Sequence, residues 1–230
     1  MNHNERKYDA VIFDMDGLMV NTEDLYYETF NETLKDHGVS IPPTGYIVHV
    51  GHPIEENSRH AVDHFRLPAA PEAFCRTWMD RFDLAISDPA RVHPMPGFLD
   101  LLSHLRGRNY RLGIASSTAR PRMTATLQNG LLAHLNGVAA LSDLFEVILS
   151  GSDVARTKPF PDIYLLAAER LGLAPARCIA FEDSASGVRA AKAAGLTVVA
   201  VPNTFTAHQD HTPADFLLPG LADAMGEGFL

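Results

Sequence analysis

Five short apolar runs punctuate the chain, and each stops abruptly at small polar or acidic residues. The first contains Tyr8, Ala10, Val11, Ile12 and Phe13 and ends at Asp14-Met15-Asp16-Gly17; runs at 110–115, 145–149, 178–181 and 197–201 share its character. Brief stretches rich in β-branched and aromatic residues, bounded by such stops, read as buried strands. Helical spacing fills the intervals between the later runs. Phe98, Leu101, Leu102 and Leu105 share a face with Gly107 as a stop. Ile163, Leu166, Ala167 and Leu171 repeat the period before Gly172, and Val188, Ala191 and Ala194 make a small-residue face ending at Gly195. Strands alternating with helices dictate parallel βαβ units, hence an α/β core: a doubly wound, Rossmann-like parallel sheet.

Residues 21–92 break the rhythm. Asn21 or Thr22 can cap a helix carrying Tyr27, Phe30 and Leu34 on one face, with Gly38 as its stop. Amphipathic stretches follow at 55–65 and 72–86, divided by Pro42-Pro43, Pro68 and Pro71, while 46–50 fits helix or strand. Phe74, Trp78 and Phe82 recur at helical spacing and read as core. The pattern predicts an α-helical cap domain at 21–92, inserted into a core made of 1–20 and 93–230, with Pro94-Met95-Pro96-Gly97 in the return linker.

Composition removes several function classes. With 46% hydrophobic and 20% charged residues the chain is globular, and 230 residues bury a core without disulfides. A net charge of −9 gives no footprint for nucleic acid or an anionic membrane, although a few local cations could still hold an anionic metabolite. Cys75 and Cys178 have neither metal-ligand nor framework spacing and read as reduced thiols. The N-terminal residues lack an apolar leader, and no apolar run is long enough to span a bilayer, so a cytoplasmic protein, monomer or weak homodimer, is expected. His60 and His64 lack the glutamate of a zinc-protease helix and read as a surface pair, as do His208 and His211.

Ligands of parallel α/β sheets bind beyond the carboxyl ends of the strands, so the residues after each strand are the informative ones. They are Asp14 and Asp16, then Ser116-Ser117-Thr118, then Gly151-Ser152-Asp153 with Thr157-Lys158-Pro159, then Glu182-Asp183-Ser184. Any of these has a bland reading alone: a hydroxyl run caps helices, a lysine before proline is solvated, an acidic pair suits a helix start. None explains why all four follow strands. Carboxylates gathered about 4 Å apart repel by roughly 4 kcal/mol per pair at an effective dielectric of 20, so the cluster calls for a cation. Hard oxygen donors with no histidine or cysteine suit Mg²⁺, which pairs with phosphate oxygens. A calcium loop is disfavoured, because Leu18 and Met19 stand where a ligand and a glycine are required. An aspartate beside a metal can attack phosphorus, and a second acid two residues on can protonate the leaving oxygen and then activate water.

In VIFDMDG, GIASS, TKPFPDIY and FEDSASG, in that order, the chain resembles the haloacid dehalogenase superfamily, in its subgroup of β-phosphoglucomutase and small sugar-phosphate phosphatases. The resemblance implies Asp14 as nucleophile and Asp16 as general acid/base, with Gly17, Ser116, Ser117 and Lys158 around the phosphoryl group. It implies Mg²⁺ on Asp14, the Asp16 backbone carbonyl and Asp183, with Glu182 as ligand or support. Dehalogenases lack the second acid, and Schiff-base members need a cap lysine where this insertion offers only Lys35. The mutase's cap histidine falls at Tyr26 and its cap arginine near Ile54, with Arg59 close by. The expected activity is therefore a Mg²⁺-dependent phosphatase acting on a small phosphorylated metabolite, a sugar phosphate or nucleotide monophosphate, through an aspartyl phosphate. A loop around Val50-Gly51-His52 is expected to close over the substrate. A phosphosugar mutase is the rival enzyme reading, and a phosphometabolite-binding regulatory protein the non-enzymatic one.

Overall fold

Six strands, β1 (Ala10–Phe13), β2 (Arg111–Ala115), β3 (Val147–Leu149), β4 (Cys178–Glu182), β5 (Thr197–Ala200) and β6 (Phe216–Leu217), form one parallel sheet in the order β3-β2-β1-β4-β5-β6. The computed structural model describes residues 6–226, 228 and 230; residues 1–5, part of the stretch read as lacking a leader, lie outside it. Strand order reverses at β1, so the β1/β4 boundary is the topological switch point where such sheets bind ligands.

Both faces of the sheet are covered, and alternation decides which side chain goes where. Val11 and Phe13 of β1 join Leu112, Ile114, Ile179 and Phe181 on one face. There they meet α5 (Phe98–Gly107) and α6 (Arg120–Gly130). Ala10 and Ile12 join Cys178 and Ala180 on the other, under α7 (Asp162–Arg170) and α8 (Ala185–Ala193). The small face of α8, Val188, Ala191 and Ala194, lies against that side as its spacing predicts.

Four helices precede α5: α1 (Thr22–Lys35), the single turn α2 (Pro43–Tyr46), α3 (Ile54–Phe65) and α4 (Pro71–Ile86). They enclose an apolar cluster of Phe30, Leu34, Tyr46, Ala61, Val62, Leu67, Phe74 and Trp78, completed by Phe205 from the loop after β5. The ambiguous 46–50 stretch is the end of α2 and a tight 3₁₀ turn over Ile47–His49. None of the described helices is long and apolar enough to cross a membrane.

Several local expectations change. Asn21 occupies the N-terminal position of α1 without capping it; its Oδ1 accepts from His93 N (2.8 Å) and its Nδ2 donates to Arg91 O (3.1 Å), tying the outgoing chain to the returning one. Gly107 remains inside α5, and Asn109, at φ +57°, makes the left-handed reversal. His211 is buried, its Nε2 2.9 Å from Thr206 O, whereas His60, His64 and His208 are exposed as expected. Strand β6 is two residues long and carries no readable period. Neither cysteine is paired; Cys178 is buried in the sheet and Cys75 is partly exposed.

Candidate active site

The strand register brings the acids together. Phe13 pairs with Phe181, so the next residues out, Asp14 and Glu182, are neighbours at the carboxyl edge, and Asp14 N still donates to Phe181 O (3.0 Å). Oxygens of Asp14, Glu182 and Asp183 all lie within 4.8 Å of one another, and all three residues are buried. Parity separates the last two: Glu182 follows Cys178 and Ala180 toward α7 and α8, whereas Asp183 turns to the cleft. Glu182 receives the hydroxyl of Tyr164 on α7 and lies beneath Gly187 on α8, where a Cβ would collide with its carboxylate.

Lys158, from the loop after β3, reaches into this group, donating to Asp14 and lying 2.6 Å from Glu182 Oε1. Burial alone would depress its ammonium, but the two carboxylates reverse that and raise it, so it stays charged. Burial, partly offset by Lys158, pushes Glu182 up to about 7. Burial and the neighbouring charges of Asp14 and Glu182 push Asp183 well above the usual carboxylate range. One lysine thus under-compensates three acids.

Asp16 is set apart from that triad. Its Oδ2 accepts from Ser116 Oγ (3.0 Å) and Thr118 Oγ1 (2.7 Å), while burial and the Asp14 charge raise it toward the protonated form. Ser116 and Thr118 follow β2, so two adjacent strand tips hold one carboxyl group. Gly17 sits at φ +71°, and a Cβ there would approach Asn203 Nδ2 at 2.6 Å and Asp183 Oδ2 at 2.8 Å. Its amide, expected to face a phosphoryl group, donates instead to Val20 O (2.9 Å) and Thr22 Oγ1 (3.1 Å). Gly17 therefore contributes absence of bulk.

A cleft of about 360 Å³ opens over these groups, lined by Asp14, Asp16, Ser117, Lys158 and Asp183. Val50 and Gly51, from the loop singled out in the helical segment, line it too. Asp153, which also follows a strand, is elsewhere engaged: it takes Ser150 N (2.7 Å) and pairs with Arg120. Sequence reasoning missed Glu23, whose carboxyl faces the cleft and is pushed up to about 8 by burial and then by Asp16 and Asp14. It missed Thr118 as a partner of Asp16, Tyr164 as a partner of Glu182, Asn203 as a partner of Asp183, and Thr206, Gln209 and Arg189 around the rim. A tyrosine one turn into a helix carries no sequence signal for such a contact; the Asn-x-x-Thr after the last apolar run was a readable turn motif.

The residues fit a divalent cation. The donor set is all oxygen, Glu182 Oε2 is buried without a hydrogen-bond partner, and the acids are held near one another against their repulsion.

Residues 11–201 match the family described as haloacid dehalogenase-like hydrolase. The chain is 34% identical to protein CbbY of Rhodobacter capsulatus over 220 residues, 94% of each chain. It is 32% identical to a probable pseudouridine-5'-phosphatase of Saccharomyces cerevisiae over 231 residues, 94% of this chain and 91% of that one. A crystal structure of a HAD family hydrolase from Deinococcus radiodurans R1, with bound phosphate and sodium, superposes with a TM-score of 0.81 at 27% identity over 98% of this chain and 99% of that one. The order of strand tips, the acids upon them and this near-complete coverage lead to one assignment: the chain belongs to the haloacid dehalogenase-like hydrolase family, in its β-phosphoglucomutase and sugar-phosphate phosphatase-like subgroup.

Proposed function

We propose that this chain is a Mg²⁺-dependent phosphatase that hydrolyses a small phosphorylated metabolite, a sugar phosphate or nucleotide monophosphate, through an aspartyl phosphate on Asp14. Residues 21–92 act as a cap over a core made of 1–20 and 93–230. The observation that carries the reading is the contrast between two carboxyl groups on one cleft: Asp14 against Lys158, and Asp16 held by two hydroxyls and shifted toward its protonated form. Nucleophile and proton donor need that difference. Relatives named as phosphatases, and a solved relative holding phosphate, support the same class.

Asp14, the Asp16 carbonyl and Asp183, with Glu182 behind them, would hold Mg²⁺, which when bound supplies positive charge to the phosphoryl oxygens. Asp14 attacks phosphorus in line with the leaving oxygen, and Asp16 gives that oxygen its proton as the P–O bond breaks, releasing the alcohol. The Asp16 carboxylate then takes a proton from water, whose oxygen attacks phosphorus and frees inorganic phosphate and Asp14. Lys158 and Ser117 steady the phosphoryl oxygens, joined by Ser116 when its hydroxyl turns from Asp16. Val50 and Gly51 on the cap exclude bulk water from the cleft. Against the mutase, Tyr26 is stacked on Phe82 with ring centroids 3.7 Å apart where the cap histidine would stand. Arg59 lies in an outer cap groove with Glu55 and Glu72.

The test is a panel of phosphorylated metabolites with and without Mg²⁺, scored for free phosphate and for isomerised sugar phosphate. Mg²⁺-dependent phosphate release, abolished in a folded Asp14→Asn variant, is expected. Isomer without phosphate would establish the mutase, and no turnover of any substrate would favour a binding protein.

A further inference from the structure

The loop after β5 makes a connection between core and cap that does not run through the two linkers. Asn203 stands at its start with every valence of its side-chain amide used. Nδ2 donates to Asp183 Oδ2 (2.8 Å) and to Gly17 O (3.1 Å), while Oδ1 accepts from Phe205 N (2.8 Å) and Thr206 N (3.2 Å). Two backbone donors on Oδ1 fix which end of the amide faces Asp183. The backbone amide of Asn203 closes the turn on Thr206 Oγ1 (3.0 Å). Two residues on, Phe205 is 3% exposed and completes the cap's apolar cluster, 5.7 Å from the Tyr27 ring and 5.8 Å from the Tyr46 ring. All other buried members of that cluster lie between Phe30 and Trp78.

We infer that Asn203 is a positioning residue and that 203–206 is a strap linking the Asp183 carboxylate to the seating of the cap. The inference rests on the reading of Asp183 as a metal ligand and of 21–92 as a cap. Asn203 holds the carboxylate that would bind Mg²⁺, and the same side chain shapes the turn that presents Phe205. Unseating Phe205 releases the two amides that Oδ1 accepts, which frees Asn203 to swing away from Asp183. Linkage makes the effect reciprocal: a cap that favours the ordered strap strengthens metal binding, and metal on Asp183 favours the seated cap by the same factor.

Two readouts other than turnover test this: the Mg²⁺ dissociation constant by calorimetry, and amide hydrogen exchange over residues 43–50 with and without Mg²⁺. Mg²⁺ alone is the ligand throughout. Asn203→Ala and Phe205→Ala are each expected to weaken Mg²⁺ binding by about five-fold or more and to abolish the Mg²⁺-induced slowing of exchange. Phe205→Leu, which keeps apolar bulk, restores most of both. Should Asn203→Ala fail to fold, the similarly sized, uncharged Asn203→Leu is read instead; it removes the donor to Asp183 and the acceptor of the turn without adding charge, and is expected to weaken binding as the alanine does. Wild-type Mg²⁺ affinity in either alanine variant, with exchange still slowed by the ion, overturns the strap while leaving the phosphatase reading intact. Absence of Mg²⁺ binding by the wild type overturns the metal reading and the strap with it.

Discussion

Gly187 lies in the first turn of α8, and helix propensity alone says that alanine there stabilises the protein by roughly 0.5–1 kcal/mol. The packing says the reverse. A Cβ at 187 would fall on the Glu182 carboxylate, far inside the 3.0 Å that real Cβ contacts respect. Glu182 cannot retreat: its residue is fully buried, and its strand is laddered to β1 on one side and β5 on the other. Relief requires the side chain to leave Lys158 and Tyr164, or α8 to lift from the sheet. Breaking a buried ion pair costs about 3–5 kcal/mol, so the net loss for Gly187→Ala is about 2–4 kcal/mol after the propensity gain. At about 2–4 °C per kcal/mol for a chain of this size, Tm falls by roughly 5–15 °C.

Urea denaturation and calorimetry measure the loss directly, and a second background identifies its cause. Where Glu182→Ala has removed the obstructing carboxylate, Gly187→Ala should become neutral or stabilising, giving an interaction energy of about 3 kcal/mol between the two sites. A Gly187→Ala protein as stable as wild type would refute the argument. Equal destabilisation in both backgrounds would move the conflict from the carboxylate to the sheet beneath it.

Two further outcomes follow from the charges. Glu23 is raised to about 8 from an ordinary value near 4.5, so folding retains a proton that the unfolded chain releases between those values. Stability from this group is full below about pH 4.5 and is lost as pH rises toward 8; Glu23→Gln should flatten that decline by on the order of 1–2 kcal/mol, limited because the side chain faces an open cleft. Metal-free urea midpoints at pH 5 and pH 8 check it, and identical slopes in the two proteins would sink it. Lys158→Met leaves Asp14 and Glu182 without their cation and should destabilise the protein by about 3–5 kcal/mol at pH 8, with part recovered by millimolar Mg²⁺. A loss unchanged by Mg²⁺ would show that charge is not what the lysine balances.

The readable parts of this molecule are those in which a local pattern and its structural consequence coincide. Strands β1, β2, β4 and β5 are short, apolar and buried on both faces, so composition marks them and the residue after each marks the rim. Asp14, Asp16, Ser116, Lys158, Glu182 and Asp183 were legible because each follows a strand. What was not legible depends on distance across the fold. Tyr164 reaches Glu182 from the helix layer over the sheet, and Asn203 reaches Asp183 from the tip of the neighbouring strand, so neither announces itself in its own segment. Asn21 misled for the same reason: its side chain had a competitor for the helix cap in the returning linker, 72 residues later.

The local charge sum also explains why a net charge of −9 did not exclude an anionic ligand. Burial and neighbouring acids push Asp16 and Glu23 toward neutrality, which lessens the negative charge in the cleft. Asp14, Glu182 and Asp183 remain against Lys158, and burial with mutual repulsion pushes Glu182 and Asp183 up as well, so full ionisation of the three acids against one lysine calls for a further cation. A phosphate monoester dianion meeting those acids in their ionised form would be repelled, and exposed Arg189 on the rim is screened too well to reverse it. On the proposed reading, one divalent cation would balance the ionised acids and leave Lys158 to face the phosphoryl oxygens. The same reading orders the events by electrostatics: metal first, anion second, with the affinity for the second expected to rise with occupancy of the first, which phosphate-binding titrations with and without Mg²⁺ would measure.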